Sequence, residues 1–343
     1  MRVRYIGSFP PPYGGVTNKN QLLYRTLSER TAISRLKECR FIPGKLHQAI
    51  NILLALLPGQ TLIVGISSKG GKSRTLTKLL YRFNRKTMQR SLYFMMGGTE
   101  AKRIAENADE IEWYRHYKKI YAETESMVRI LKNAGLNNAE WFPNCRNRYS
   151  KAPVWNGQQG KRLQCVFFSL IERQKGIDLI IEAAKATPDI DYYFYGVINP
   201  EDEVYFKKMV EDAGNIFYKG VFVGNNEETY EELRKYDVLL FPTRWKTEGV
   251  PGIIVEAKMA GIAAIVSNQS YNAELVKDNV EGIVLRENTT EALLEAVERI
   301  DMDRALLERL KQNSYKSSAK YCIENYTDNI INALKTSGGG YKW

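Results

Sequence analysis

Short runs rich in β-branched and aromatic residues alternate with longer amphipathic stretches along this chain, and the alternation occurs twice. In the first half RVRYIGSF, TLIVGIS and SLYFMM have strand composition, with helical periodicity over 18–30, 74–85 and 115–134. In the second half LQCVFFSL, DYYFYGV, VLLFP and AAIVS are separated by helical stretches at 177–186, 201–213, 229–235 and 253–260, and 291–334 is mostly helical. Parallel strands need a crossover, usually a helix, so this order predicts parallel βαβ layers. The expectation is an α/β chain of two doubly wound domains facing each other across a cleft, because open parallel sheets bind ligands beyond the carboxyl ends of their strands. The domains are expected at 1–150 and 151–321, with a polar linker at 148–161 that contains Pro153 and Gly157. A C-terminal helix near 322–336 is expected to pack back on the first domain, followed by a flexible tail at 337–343.

Charge separates the two halves. Residues 1–150 hold 26 Lys and Arg against 10 Asp and Glu, whereas 151–343 hold 24 against 29, so the net +11 of the chain arises in the first half. Residues 69–90 carry eight basic side chains (Lys69, Lys72, Arg74, Lys78, Arg82, Arg85, Lys86, Arg90) and no acidic one. With Leu76, Leu79, Leu80 and Phe83 at helical spacing, the segment is predicted to be a basic amphipathic helix. It suits an anionic membrane surface, with a solvated face or nucleic-acid phosphates as alternatives. No nucleic-acid reader motif or aromatic stacking platform accompanies it, so no nucleic-acid partner is expected.

Four cysteines without a CxxC pair (Cys39, Cys145, Cys165, Cys322) and two histidines supply neither a disulfide framework nor a zinc site. The longest apolar stretch, 50–57, stops at Pro58 and Gly59, short of the roughly 20 residues a membrane span needs. No signal-peptide core precedes the first strand. A cytoplasmic chain, peripheral on the inner face of the cytoplasmic membrane, is expected.

The most informative segment is FPTRWKTEGVPGIIVEAKMAG, 241–261. Glu248 and Glu256 flank a turn in which Gly249, Pro251 and Gly252 let the backbone approach a ligand and present N–H groups at a helix start. This segment resembles the E-x7-E signature of the retaining family 4 ("group 1") glycosyltransferases, which have the GT-B fold of two Rossmann-like domains. The resemblance implies that Glu248 lies by the transferred sugar, that Glu256 holds the ribose hydroxyls, and that Gly249, Val250, Pro251, Gly252 and Ile253 border the donor. Carboxylates suit these tasks as strong acceptors for hydroxyl pairs.

Other segments agree with the resemblance in order. FPPPYGGV resembles the family's first glycine-rich loop, placing Gly14 and Gly15 by the diphosphate or the acceptor. FPNCRN, 142–147, resembles the stretch before the interdomain linker. YKGVF, 218–222, resembles the loop whose backbone touches the base, here at Val221. FFSLIERQKGIDLIIEAA, 167–184, resembles the segment that binds the diphosphate through Arg and then Lys-Gly. Lys175 and Gly176 fit, but the usual Arg falls near Ser169 or Leu170, and the chain offers Arg173 instead.

Many relatives place a histidine where this chain has MMGGT, 95–99; His47 and His116 are expected to be structural. Without it, the leaving diphosphate can take the acceptor's proton while Lys175 and helix N-termini stabilise its charge. SSKGGKS, 67–73, misses a phosphate-binding P-loop because Ile66 stands where the first glycine belongs. Asp189 and Asp191 precede a strand and lack a third oxygen ligand, so no essential metal is expected. The sequence therefore predicts a metal-independent, retaining hexosyl- or N-acetylhexosaminyltransferase that needs no cofactor. It would take a UDP- or GDP-linked nucleotide sugar and transfer to a lipid-linked glycan hydroxyl in polysaccharide or surface-glycan assembly. Alternatives are a GT-B sugar-nucleotide epimerase and a non-catalytic glycan- or partner-binding subunit.

Overall fold

The computed structural model describes residues 3–11, 14–31, 33–37, 42–67, 71–155 and 161–335. Lys69, Cys39, Gly157, the tail at 337–343 and the side chain of His47 lie outside the described residues. The chain divides into two compact units, one formed by 1–147 with 322–343 and the other by 148–321.

The first unit is built on a six-stranded parallel sheet of β1 (Val3–Gly7), β2 (Ile33–Lys37), β3 (Thr61–Gly65), β4 (Leu92–Phe94), β5 (Lys119–Ala122) and β6 (Ala139–Trp141), in the order β2-β1-β3-β4-β5-β6. Its helices are α1 (Gly15–Ser28), α2 (Ile42–Leu56), α3 (Lys72–Phe83), α4 (Arg85–Met88), α5 (Glu100–Ala105), α6 (Ala108–Tyr114) and α7 (Glu125–Asn133), and later α15 (Glu324–Lys335). One face packs Val3, Tyr5, Leu23, Leu27, Ile63 and Phe94 against Ile323, Ile330, Ile331 and Leu334 of the C-terminal segment.

The sheet grows to one side of β1 and then to the other, so its switch point lies between β1 and β3. Asn20 of α1 fills that point. It is fully buried, donates to the carbonyls of Ser8 at 2.8 Å and Gly65 at 2.7 Å, and accepts from the Tyr5 hydroxyl at 2.8 Å. Gly65 makes the room, since a Cβ there would lie 2.3 Å from Asn20 Oδ1.

Over its described residues the basic stretch forms two helices, α3 and α4, parted at Asn84 rather than one continuous helix, and the apolar stripe of α3 is used inside the unit. Ser73, Leu76, Thr77 and Leu80 of α3 are buried, whereas Phe83 is 70% exposed among the cations. The helix therefore turns charge outward rather than an apolar face.

The second unit repeats the plan with β7 (Gln164–Phe168), β8 (Asp191–Tyr195), β9 (Ile216–Tyr218), β10 (Val238–Phe241), β11 (Ala263–Ser267) and β12 (Ile283–Leu285), all parallel, in the order β12-β11-β10-β7-β8-β9. The connecting helices are α8 (Ile177–Ala186), α9 (Glu203–Asp212), α10 (Asn226–Leu233), α11 (Gly252–Ala260) and α12 (Asn272–Leu275), followed by α13 (Thr290–Met302) and α14 (Arg304–Ser318). The central strands β10 and β11 are buried along their whole length, as expected of strands covered on both faces.

One expectation changes: residues 119–122, inside the stretch predicted to be helical, form strand β5. Within the expected linker, the Trp155 indole donates to the Gly261 carbonyl at 3.0 Å and packs against Tyr315.

Candidate active site

The switch point of the second sheet lies between β7 and β10, and the loops that follow these two strands are stitched together. Gly176 has φ +82°, and a Cβ on it would stand 2.2 Å from the Pro242 carbonyl oxygen, so only glycine admits this approach. The backbone N–H of Arg244 donates to Gln174 O at 2.8 Å. The Arg244 guanidinium grips both Asp178 oxygens at 2.9 Å and reaches Arg173 O at 3.1 Å. Asn288 donates to the carbonyls of Pro242 and Thr243 from the other side, at 3.1 and 3.2 Å.

This framework brings Lys175 and Glu248 together. Lys175 ends the short 3-10 turn Arg173–Lys175 after β7, Glu248 lies in the loop after β10, and their side chains form an ion pair only 12% and 17% exposed. The ammonium lies 5.4 Å from the Trp245 ring and 5.7 Å from the Phe241 ring, within cation–π range. Glu248 is held from behind, its N–H donating to Trp245 O at 3.2 Å.

Gly249 and Val250 lead to Pro251, which caps α11 without a side-chain hydrogen bond; Gly252 and Ile253 open the helix. The first turn contains no acidic residue. Backbone N–H groups and the positive end of the helix dipole are thus offered where an anion can be received. Glu256 follows one turn into α11 and is half-buried.

Arg173 is not aimed at this pair. Its backbone N–H and its Nε donate to the Asp202 carboxylate at 2.9 and 2.5 Å, and its guanidinium lies 5.5 Å from the Tyr205 ring. A nearly buried carboxylate beside a guanidinium is a strong local partner, and it turns the side chain toward α9. Val221 follows Gly220, whose φ is +79°, beyond the edge strand β9, and is 55% exposed. In the first unit Gly14 caps α1 and accepts from Asn18 N at 2.9 Å and Thr17 Oγ1 at 3.1 Å, and Gly15 begins the helix. A Cβ at either glycine would meet nothing within 4 Å.

His116 lies just past α6, its Nδ1 3.0 Å from Glu112 O and its ring edge-on to Tyr81. Asp189 and Asp191 both face Arg162, at 3.7 and 2.9 Å. Among the described residues no three His, Cys, Asp or Glu side chains gather as a metal cage. Sequence reasoning missed Trp245, although it lies inside the 241–261 segment, and missed Asp202 and Asn288, whose partners are distant in sequence.

The chain is 23% identical over 210 residues to the N,N'-diacetylbacillosaminyl-diphospho-undecaprenol alpha-1,3-N-acetylgalactosaminyltransferase of Campylobacter jejuni, covering 60% of this chain and 52% of that protein. It is 25% identical over 166 residues to an uncharacterized 41.2 kDa protein in the cps region of Klebsiella pneumoniae, covering 47% of this chain and 42% of that one. The chain spans about half or less of the length of the curated relatives it matches. Among solved structures, Anabaena Alr3699/HepE in complex with UDP superimposes with a TM-score of 0.71 at 13% identity, covering 97% of this chain and 99% of that one. The chain thus has the GT-B fold, and its residues 153–317, which carry Lys175, Glu248 and Glu256, match the family of glycosyl transferases group 1.

Proposed function

We propose that the chain is a retaining glycosyltransferase of the family 4 kind that moves a hexosyl or N-acetylhexosaminyl group from a UDP- or GDP-linked donor to a hydroxyl of a polyprenyl-diphosphate-linked glycan. The observation that carries this reading is the Lys175–Glu248 pair at the β7/β10 switch point, beside an α11 N-terminus without a side-chain cap and with Glu256 one turn beyond it. The Campylobacter relative, whose name gives a diphospho-undecaprenol acceptor, and the UDP bound by Anabaena HepE support the substrate classes.

In this reading the N–H groups of Gly252 and Ile253 hold diphosphate oxygens, Glu256 accepts from the ribose hydroxyls, and Val221 meets the base through its backbone. Glu248 accepts from hydroxyls of the sugar to be transferred. The bond from the anomeric carbon to the diphosphate oxygen breaks with its electron pair going to the diphosphate, whose charge Lys175 neutralises. The acceptor oxygen bonds to the same face of the anomeric carbon, and its proton passes to the departing oxygen. No metal enters this scheme. Because Arg173 is held by Asp202, we assign it to fixing the turn that carries Lys175. Gly14 and Gly15 open the helix of the first unit, which we assign to the acceptor, and the basic segment 69–90 brings the chain to the inner membrane face.

Calorimetric titration of UDP, GDP and their sugar conjugates tests the reading, with Glu256→Ala and Lys175→Ala as controls. Binding of one nucleotide family that both variants lose is the expected result. A folded protein that binds none of them would instead favour a non-catalytic subunit, and conversion of a nucleotide sugar without acceptor would favour the epimerase.

A further inference from the structure

Among the described residues, most of the exposed large apolar side chains of the first unit lie outside the basic helix. In α2 and just beyond it, Ile50, Leu53 and Leu57 are 44%, 64% and 47% exposed, while Asn51 and Ala55 face inward. The three-residue spacing of Ile50 and Leu53 puts them on one face of α2, Leu57 follows just past its end, and no Lys, Arg, Asp or Glu occurs between 46 and 60. The end of α3 adds Phe83 at 70% exposure. Asn84 joins the two helices, its amide donating to the carbonyls of Leu56 at 2.8 Å and Leu57 at 3.2 Å. Leu57 and Phe83 are thereby brought to one edge.

Cations border this edge. Arg82, Arg85 and Lys86 flank Phe83 in sequence, all exposed, and the Arg85 guanidinium carbon stands 4.0 Å from the centre of the Tyr81 ring. Arg82 and Lys86 have no acidic partner among the described residues, in contrast to Arg74, which pairs with Glu110 at 2.9 Å near the start of α3.

We infer that α2 and the α3–α4 corner form a two-part docking face for an anionic lipid surface, with Ile50, Leu53, Leu57 and Phe83 entering the acyl boundary and Arg82, Arg85 and Lys86 meeting the headgroups. Large apolar side chains in water favour transfer to an apolar phase, and a contiguous group of them marks an interaction surface. Charge complementarity selects the occupant. An apolar helix face bordered by cations without acidic partners matches a layer of acyl chains beneath anionic headgroups. The burial of Leu76 and Leu80 explains the division of labour: α3 has used its own apolar stripe in the fold, so the inserting residues come mainly from its neighbour. This deepens the membrane part of the proposed function and rests on that reading only for why the chain would be at a membrane.

Flotation of the full chain with phosphatidylcholine vesicles, with and without phosphatidylglycerol, tests it. The wild-type protein should float with the anionic vesicles alone. Leu53→Gln with Phe83→Gln, and separately Arg82→Gln with Lys86→Gln, should each lower the partition coefficient about tenfold or more. All four side chains are on the surface, and unchanged circular dichroism and melting would certify the fold. Absence of binding to anionic vesicles overturns the inference, as does an apolar double variant that floats like the wild type, since charge alone would then suffice. Retention of a DNA duplex by a protein that ignores vesicles would overturn it in favour of nucleic acid. UDP titration of the same preparations keeps the two readings separable: vesicle binding without nucleotide binding leaves the docking face standing and removes the transferase.

Discussion

Lys175 and Glu248 neutralise one another across two loops that follow adjacent parallel strands, with the Trp245 ring 5.4 Å from the ammonium. A diphosphate that binds Lys175 must compete with this carboxylate. Glu248→Gln should therefore tighten UDP or GDP binding by about three- to tenfold, the scale of a modest ion pair, while sugar transfer falls by about a hundredfold or more. Lys175→Ala should weaken nucleotide binding by roughly ten- to a hundredfold. Titration beside a turnover assay separates the cases, and Glu248→Gln weakening the nucleotide as much as Lys175→Ala would make the carboxylate a scaffold.

Gly176 supports the same geometry through the backbone. Alanine there would meet Pro242 O at 2.2 Å and would need φ +82°. Gly176→Ala should destabilise the second unit by about 2–4 kcal/mol and cost nucleotide affinity as well, because the Lys175 turn must shift. Urea unfolding with and without nucleotide gives both quantities.

Asn20 occupies the switch point of the first sheet with three buried hydrogen bonds. Asn20→Ala strands two carbonyls and the Tyr5 hydroxyl, at an expected cost of about 2–4 kcal/mol, and Asn20→Asp places a carboxylate against those carbonyls and should cost at least as much. Equal urea midpoints for wild type and Asn20→Ala would refute this role.

Burial raises the Glu100 carboxyl above its ordinary value of 4.5, against hydrogen bonds from Tyr93, Met96 and Ser73 and the charge of Arg103, which favour ionisation. The folded state then holds its proton more tightly than the unfolded state, so this contribution is complete below about pH 4.5 and is lost as pH rises through the folded value. Relative to Glu100→Gln, the wild type should therefore lose stability from pH 4.5 upward, as read from urea midpoints at a series of pH values. The opposite slope would mean that Arg103 and the hydrogen bonds outweigh burial.

The architecture is legible in the sequence wherever strands are long and apolar. Lys119–Ala122 reads as helix because four residues beginning with a lysine lie beside the strong periodicity of α7, whose buried Met127 and Leu131 dominate the window. Ile33–Lys37 and Ile216–Tyr218 leave little signal as edge strands, one carrying Ser34, Arg35 and Lys37 and the other only three residues long. Lys175-Gly176 and the Glu248–Glu256 turn are legible because each depends on local spacing. The orientation of Arg173 is not, because Asp202 lies 29 residues away and nothing in the local sequence announces it. Periodicity places the basic helix, but periodicity alone does not say whether an apolar stripe faces the interior or a partner.

The two units differ in how the chain visits them. The second is one continuous segment, 148–321, whereas the first is left after residue 147 and completed only by 322–343. Ile323, Ile330, Ile331 and Leu334 supply part of its core, and the Lys118 ammonium binds the Ala333 carbonyl. During synthesis the N-terminal unit therefore waits while the whole of its successor is made. A nascent chain arrested before Cys322 should present residues 148–321 to a protease as a resistant fragment and the earlier residues as a digestible one. Of the two units, the one whose synthesis begins earlier is thus the later to be completed.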